Sequence, residues 1–206
     1  MKIKLLIVIS FILSSVAFAK NNITEDKSSV KIEVNGKKYT IERIQGNDVY
    51  LTNEFSLTSR PSPPFFIQPF KVTKDVDTYG ELEVIKFLEK GEGVFIDARL
   101  ESWYKNSYIA GAVNIPFKKF LKDTKERDKI LKSFGAVKKG KKWNFKKAKT
   151  ILFYCNGSWC VQSPTAIHAL KDIGYPEEKM KYYRGGIQSW QLVGLTVINP
   201  KKEKKK

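Results

Sequence analysis

The run Thr150-Ile-Leu-Phe-Tyr154, followed by Cys155-Asn-Gly-Ser-Trp-Cys160-Val-Gln-Ser163 and then Pro164, decides how this chain is read. A short, almost wholly apolar run bounded by polar residues is the pattern of a strand buried on both faces of a parallel sheet. Ser163 and Pro164 then read as the cap and the first position of a helix reaching about Ile173. Open α/β sheets place their ligands where a strand hands the chain to a loop before a helix.

Working outward, Val94-Phe-Ile-Asp97, Ala112-Val-Asn-Ile-Pro116 and Met180 to Tyr183 read as further strands. Between them lie helical segments. Tyr79 to Lys90 sets Leu82, Ile85, Phe87 and Leu88 along one face before Gly91, Phe117 to Phe134 ends at Gly135, and a last helix lies around Gln188 to Leu192. This alternation predicts an α/β fold with a mainly parallel sheet flanked by helices.

Upstream, Val30-Lys-Ile-Glu-Val34 and Lys38-Tyr-Thr-Ile41 flank Asn35-Gly36, a pair suited to a two-residue hairpin turn. A hairpin alone is marginal, so it is expected to pack on the later domain, with Val49-Tyr-Leu51 as a candidate third strand. Arg60-Pro-Ser-Pro-Pro-Phe-Phe-Ile-Gln-Pro-Phe70 carries four prolines and predicts an extended connector with its phenylalanines tucked onto a neighbour.

At the amino terminus Lys2 and Lys4 precede the apolar run Leu5 to Leu13 and the small-x-small site Ala17-Phe-Ala19, the layout of a cleaved export signal. The run is shorter than the ~20 residues that span a bilayer, and no nearby cysteine offers a lipid attachment point. The expected division is residues 1–19 as signal, 20–70 as hairpin and connector, 71–199 as the main domain and 200–206 as a solvated Lys-rich tail. The expected location is the periplasm, with no stable membrane insertion after cleavage.

The formal charge is +17, read as lysine spread over the surface. Such a balance suits anionic partners such as thiosulfate, phosphate-bearing envelope polymers or acidic membranes, and is also a compositional habit. No nucleic-acid recognition motif is visible, and no protein partner is named by the sequence. Two cysteines five positions apart do not make a disulfide scaffold, and with His168 they fall short of a four-ligand zinc site, so no structural zinc is expected. His168 itself is expected to pack.

Four stretches in order resemble the rhodanese family. Val94-Phe-Ile-Asp97-Ala-Arg99 is similar to its strand followed by Asp-x-Arg. Ser107-Tyr-Ile-Ala-Gly111-Ala-Val-Asn-Ile-Pro116 is similar to its Gly-His-Ile-x-Gly-Ala-x-Asn-Ile-Pro motif, with Ser107 and Tyr108 in place of Gly and His. Phe153-Tyr-Cys155 is similar to the strand that delivers the reactive cysteine, and Tyr183-Arg-Gly-Gly186-Ile-Gln-Ser-Trp190 with Gly194-Leu-Thr-Val197 to its closing pattern. The resemblance implies a sulfurtransferase or persulfide carrier. In it the Cys155 thiolate takes the outer sulfur of a small donor such as thiosulfate and passes it to a thiol or other thiophilic acceptor, without a cofactor.

In that frame the pocket loop is Asn156, Gly157, Ser158, Trp159, Val161, Gln162 and Ser163, with backbone N–H groups and the helix dipole favouring a thiolate. The amides from Asn156 to Gln162 are expected to converge on Cys155, leaving Cys160 nearer an ordinary thiol. The loop lacks the basic residue of typical members, so anion selection falls to backbone donors, Asn156, Ser158 or a residue elsewhere. Cys160 is either a resolving thiol or a passive loop residue, Trp159 a gate or a cover, and Asp97 with Arg99 a brace for the loop. Two other functions stay open: a thiol-disulfide oxidoreductase using Cys155 and Cys160 in an exposed loop, and a non-catalytic binding module.

Overall fold

The computed structural model describes residues 20–62 and 64–200; residues 1–19, where an export signal is expected, and the lysines of the tail lie outside the described residues. The amino-terminal segment forms β1 (Ser29–Val34) and β2 (Lys37–Glu42), an antiparallel pair. Asn35 and Gly36 both take positive φ, 51° and 76°, the turn that matches strand twist.

The main domain runs β3 (Asp77–Tyr79), α1 (Glu81–Lys90), β4 (Gly93–Asp97), α2 (Glu101–Tyr104), β5 (Tyr108–Ile109), β6 (Val113–Asn114), α3 (Lys118–Leu121) and α4 (Lys125–Ser133). It continues through β7 (Val137–Lys139), β8 (Lys142–Asn144), β9 (Thr150–Tyr154), α5 (Gln162–Asp172), β10 (Met180–Tyr183), α6 (Gly186–Leu192) and β11 (Val197–Ile198). Five strands form one parallel sheet in the order β3-β10-β9-β4-β6, which puts β9 at its centre.

Two apolar layers cover this sheet because side chains alternate along each strand. Leu152 and Tyr154 of β9 join Val84, Ile85, Phe87, Leu88 and Trp190 on one face, together with Val30, Ile32 and Ile41 of the hairpin. Ile151 and Phe153 point the other way, to Phe120, Leu131, Phe134 and the α5 residues Ala166, Ile167 and Leu170. The hairpin is thus part of the core. Its exit is also tied to the carboxyl-terminal segment: Thr196 N–H donates to Glu42 O at 3.0 Å and Ile44 N–H to Gly194 O at 2.7 Å.

Several local expectations are corrected. Val49-Tyr-Leu51 is not a strand, since the chain leaving β2 is paired instead with residues 194–196, and only Leu51 packs on the core. Leu82 is exposed and Val84 takes its place inside, because the helix starts at Glu81 and turns Leu82 outward. The predicted helix over 117–134 is two helices, broken where Thr124 caps the second by accepting from Arg127 N–H at 3.1 Å. The 112–116 strand shrinks to Val113–Asn114, and the β7–β8 hairpin was not foreseen. His168 is exposed on α5 rather than packed. Of the connector's phenylalanines, Phe66 and Phe70 are exposed and only Phe65 is turned inward.

Candidate active site

Cys155 follows directly on β9, at the carboxyl end of the central strand, and both it and Cys160 are 1% exposed. The loop expected to be exposed is therefore closed over its thiols. Cys160 N–H turns it by donating to Gly157 O at 3.0 Å. The first turn of α6 holds its outer edge: Ile187 N–H donates to Cys155 O at 3.1 Å and Gln188 N–H to Asn156 O at 3.0 Å. In a trans peptide the carbonyl and the following N–H point opposite ways, so the amides of Asn156 and Gly157 face into the loop. Gly186 permits this approach, with φ +59° and an added Cβ only 2.5 Å from Cys155 O.

The inward amides do not all serve Cys155, contrary to expectation. Burial pushes the Cys160 thiol up, but the Cys155 S–H, the backbone N–H groups of Asn156 and Gln162 and the Asn156 side-chain amide outweigh it, and its net direction is downward. Asn156 Nδ2 donates to Cys160 Sγ at 3.6 Å, and Cys160 S–H donates to Gln162 Oε1 at 3.7 Å. Burial and the neighbouring Cys160 sulfur drive the Cys155 thiol well up, opposed by the hydroxyl and N–H of Ser163. Its S–H donates to Cys160 O at 3.3 Å. The surroundings in this closed state thus favour ionisation of Cys160 over that of Cys155. The physical reason is register: a seven-residue loop carries its amides past Cys155 and around the second sulfur.

Two hydroxyls beside the thiols, Ser163 Oγ and Tyr182 Oη, make no hydrogen bond of ordinary geometry among the described residues, the Ser163 hydroxyl acting on Cys155 only electrostatically, and both residues are fully buried. Ser163 is not the helix cap expected of it, because α5 already begins at Gln162 and Val161 occupies the cap position with no side-chain bond. Tyr182 lies opposite Phe153 in the β10–β9 register. Burial, and then the charge of the two sulfurs, push its phenol upward.

The connector straps the loop from outside. Phe66 N–H donates to Trp159 O at 3.1 Å and Gln68 N–H to Ser158 O at 2.8 Å. The Phe65 ring meets Trp159 edge-on at 5.0 Å, and the Arg60 guanidinium lies 3.9 Å from the Trp159 ring centre. Arg184 Nε and Nη2 donate to Gln68 O at 3.1 and 2.9 Å. Trp159 is pinned beneath by its Nε1–H to Gln188 Oε1 at 2.7 Å. Trp159 is therefore a cover held by the strap. The loop lacks a cation, but Arg60 and Arg184 bring two to its rim.

Asp97 and Arg99 do not touch the 156–163 loop. Asp97 Oδ2 accepts from Tyr154 Oη and from Arg99 Nη2, each at 2.6 Å, and Arg99 Nη2 also donates to Ser107 O at 2.6 Å. Burial opposes the Arg99 charge, yet the Asp97 carboxylate beside it gives a net upward shift. The pair fixes the end of β9 one residue before Cys155, so its bracing is applied to the strand.

The chain matches the model of the rhodanese-like domain over residues 82–192. It belongs to the rhodanese-like domain family. A curated relative, the HTH-type transcriptional regulator Rv0324 of Mycobacterium tuberculosis, is 27% identical over 121 residues, covering 59% of this chain and 44% of that protein, so the chain spans under half the relative's length. Among solved structures, the human single-domain sulfurtransferase TSTD1 is 18% identical with a TM-score of 0.41, covering 58% of this chain and 97% of that one. The BH2092 protein of Bacillus halodurans is 23% identical with a TM-score of 0.44, covering 64% of this chain and 90% of that one.

The matched span begins after the hairpin and the strap, so this rhodanese-like domain carries its covering element outside the family region. Sequence reading missed the strap residues Arg60, Phe65 and Gln68, the anchor Gln188 and the orphan hydroxyl of Tyr182. Only the proline density of 60–70 hinted at an extended segment free to lie on a neighbour. No cluster of His, Cys, Asp and Glu able to hold a metal is found among the described residues.

Proposed function

We propose that the mature chain is a periplasmic sulfurtransferase or persulfide carrier, with Cys155 as the sulfur-bearing residue. The observation that carries this reading is the position of Cys155 at the carboxyl end of the central strand, beside two buried hydroxyls that lack partners. An unsatisfied buried donor costs about 1–3 kcal/mol, so a site that keeps two of them suits a bound group that accepts both. The outer sulfur of a persulfide is such a group.

In the first step the Cys155 thiolate attacks the outer sulfur of a sulfane donor such as thiosulfate. The S–S bond of the donor breaks, sulfite leaves with the electron pair, and a Cys155 persulfide remains. In the second step an acceptor thiolate attacks the outer sulfur, takes it, and restores the Cys155 thiolate. Ser163 and Tyr182 are proposed to donate to the persulfide, and Arg60 and Arg184 to draw anionic donors to the rim.

A second reading is favoured by the placement of both thiols in one buried loop, with Cys155 S–H donating to Cys160 O at 3.3 Å. The Cys160 thiolate attacks the inner sulfur of the Cys155 persulfide, a Cys155–Cys160 disulfide forms and hydrosulfide leaves. An external dithiol then reduces the disulfide. Intact-mass measurement after incubating the reduced mature chain with thiosulfate tests both. One added sulfur at Cys155 is expected, and in the second reading Cys160→Ala lengthens its lifetime. Absence of any adduct with thiosulfate or small-molecule persulfides rejects sulfur transfer.

A further inference from the structure

The excess positive charge is not spread over the molecule. Residues 117–149 hold fourteen Lys and Arg against three Asp and Glu, while residues 5–116 and 150–200 together hold seventeen of each. Outside the two chain ends, the whole net charge therefore belongs to one segment. A compositional preference for lysine would not leave the rest of the domain neutral.

That segment folds as one lobe, comprising α3, α4, the β7–β8 hairpin and the turn into β9. Lys149 N–H donates to Phe134 O at 2.8 Å and closes the lobe's base. Its three acids are already engaged: Glu126 by Lys119 at 2.6 Å, Asp123 by Arg127 at 2.7 Å and Asp128 by Lys138 at 2.7 Å. The other eleven lysines are exposed and have no ion-pair partner among the described residues; Lys139, Lys141 and Lys142 crowd the hairpin tip, and Lys118, Lys122 and Lys125 the α3–α4 end. Val137, 50% exposed, shares one face of the β7–β8 pair with Lys139 and Lys142, and Leu121, 45% exposed, follows Lys118 by one turn on α3; Trp143 lies on the other face of the hairpin, packed on the core with Lys138 Nζ 5.3 Å from its ring centre.

We propose that this lobe is a docking surface for an anionic phospholipid bilayer. Lysines with interleaved exposed aliphatic side chains match an interface with negative headgroups outside and acyl chains just beneath. A soluble polyanion would use the charge but leave Leu121 and Val137 in water. The proposal is independent of the sulfur chemistry, since it rests on a different surface.

The test is co-sedimentation of the mature chain with vesicles of phosphatidylcholine alone or with a quarter phosphatidylglycerol, over a range of salt. Binding is expected only to the anionic vesicles, falling with salt and, in a Val137→Trp variant, accompanied by a blue shift of emission beyond that of the parent. At about five-fold per lysine near the surface, K139E/K141E/K142E should weaken binding on the order of 100-fold, and K118E/K122E/K125E similarly. The tail is retained in every variant, and far-ultraviolet dichroism checks folding. K71E/K74E/K86E, equal in charge change but outside the lobe, should stay within a few-fold of the parent. Failure to bind anionic vesicles overturns the proposal. So does binding that survives both lobe variants, equal loss in the control, or retention by polyphosphate with no emission shift on vesicles.

Discussion

With both thiols 1% exposed, the strap that covers them should set the rate at which any reagent reaches Cys155. The double variant R60A/F65A removes its two side-chain anchors on Trp159 and leaves the backbone bonds of Phe66 and Gln68 in place. The edge-on ring contact is worth about 0.5–1.5 kcal/mol and an exposed cation–π contact about 0.5–1 kcal/mol, so together they contribute roughly 2 kcal/mol to the closed state. At a factor of ten for every 1.4 kcal/mol, the open population should rise about 30-fold.

When opening is fast compared with reaction, the alkylation rate follows that population. The assay is iodoacetamide labelling of Cys155 in a Cys160→Ala background, with and without R60A/F65A, across a range of pH. A change in access alone lifts the whole rate curve by one factor at every pH. A ratio below about three would show that the strap does not limit access. Curves displaced along the pH axis would show that it acts on ionisation instead.

Two further outcomes follow from the site. Because the Cys160 sulfur holds the Cys155 thiol up while Cys155 S–H holds Cys160 down, Cys160→Ala should lower the Cys155 pKa and Cys155→Ala should raise that of Cys160. Thiolate absorbance during a pH titration of each variant measures this, and shifts of the same sign would refute the opposite influence of the two sulfurs on each other. Gly186→Ala places a Cβ 2.5 Å from Cys155 O in a left-handed backbone. It should cost about 1–3 kcal/mol of stability and abolish sulfur loading; unchanged thermal unfolding and loading would remove α6 from the site.

The central strands, their alternation with helices and the position of Cys155 were legible because each is written in a short window: β9 is an unbroken apolar run, and Gly91 and Gly135 end their helices visibly. The break at Thr124 was also legible in principle, as a capping residue inside an otherwise periodic run, but the apolar period continues across it and dominates the reading. The strap was not legible. It is held by backbone bonds from Phe66 and Gln68 to residues ninety or more positions away, and such bonds leave no mark on side-chain pattern.

The allocation of the anion between the two sulfurs lies beyond sequence for a related reason. A helix N-terminus after a cysteine predicts a stabilised thiolate, but which sulfur receives the amides depends on how many residues the loop spends before the helix begins. Here the longer loop brings Asn156 and Gln162 to Cys160, while Cys155 keeps Ser163 alone. Strap and loop are joined at Trp159, whose carbonyl accepts from Phe66 N–H and whose Nε1–H donates to Gln188 Oε1. A substitution in the strap is therefore expected to reach the loop that carries both sulfurs, and access and ionisation are separated only by following the labelling rate across pH.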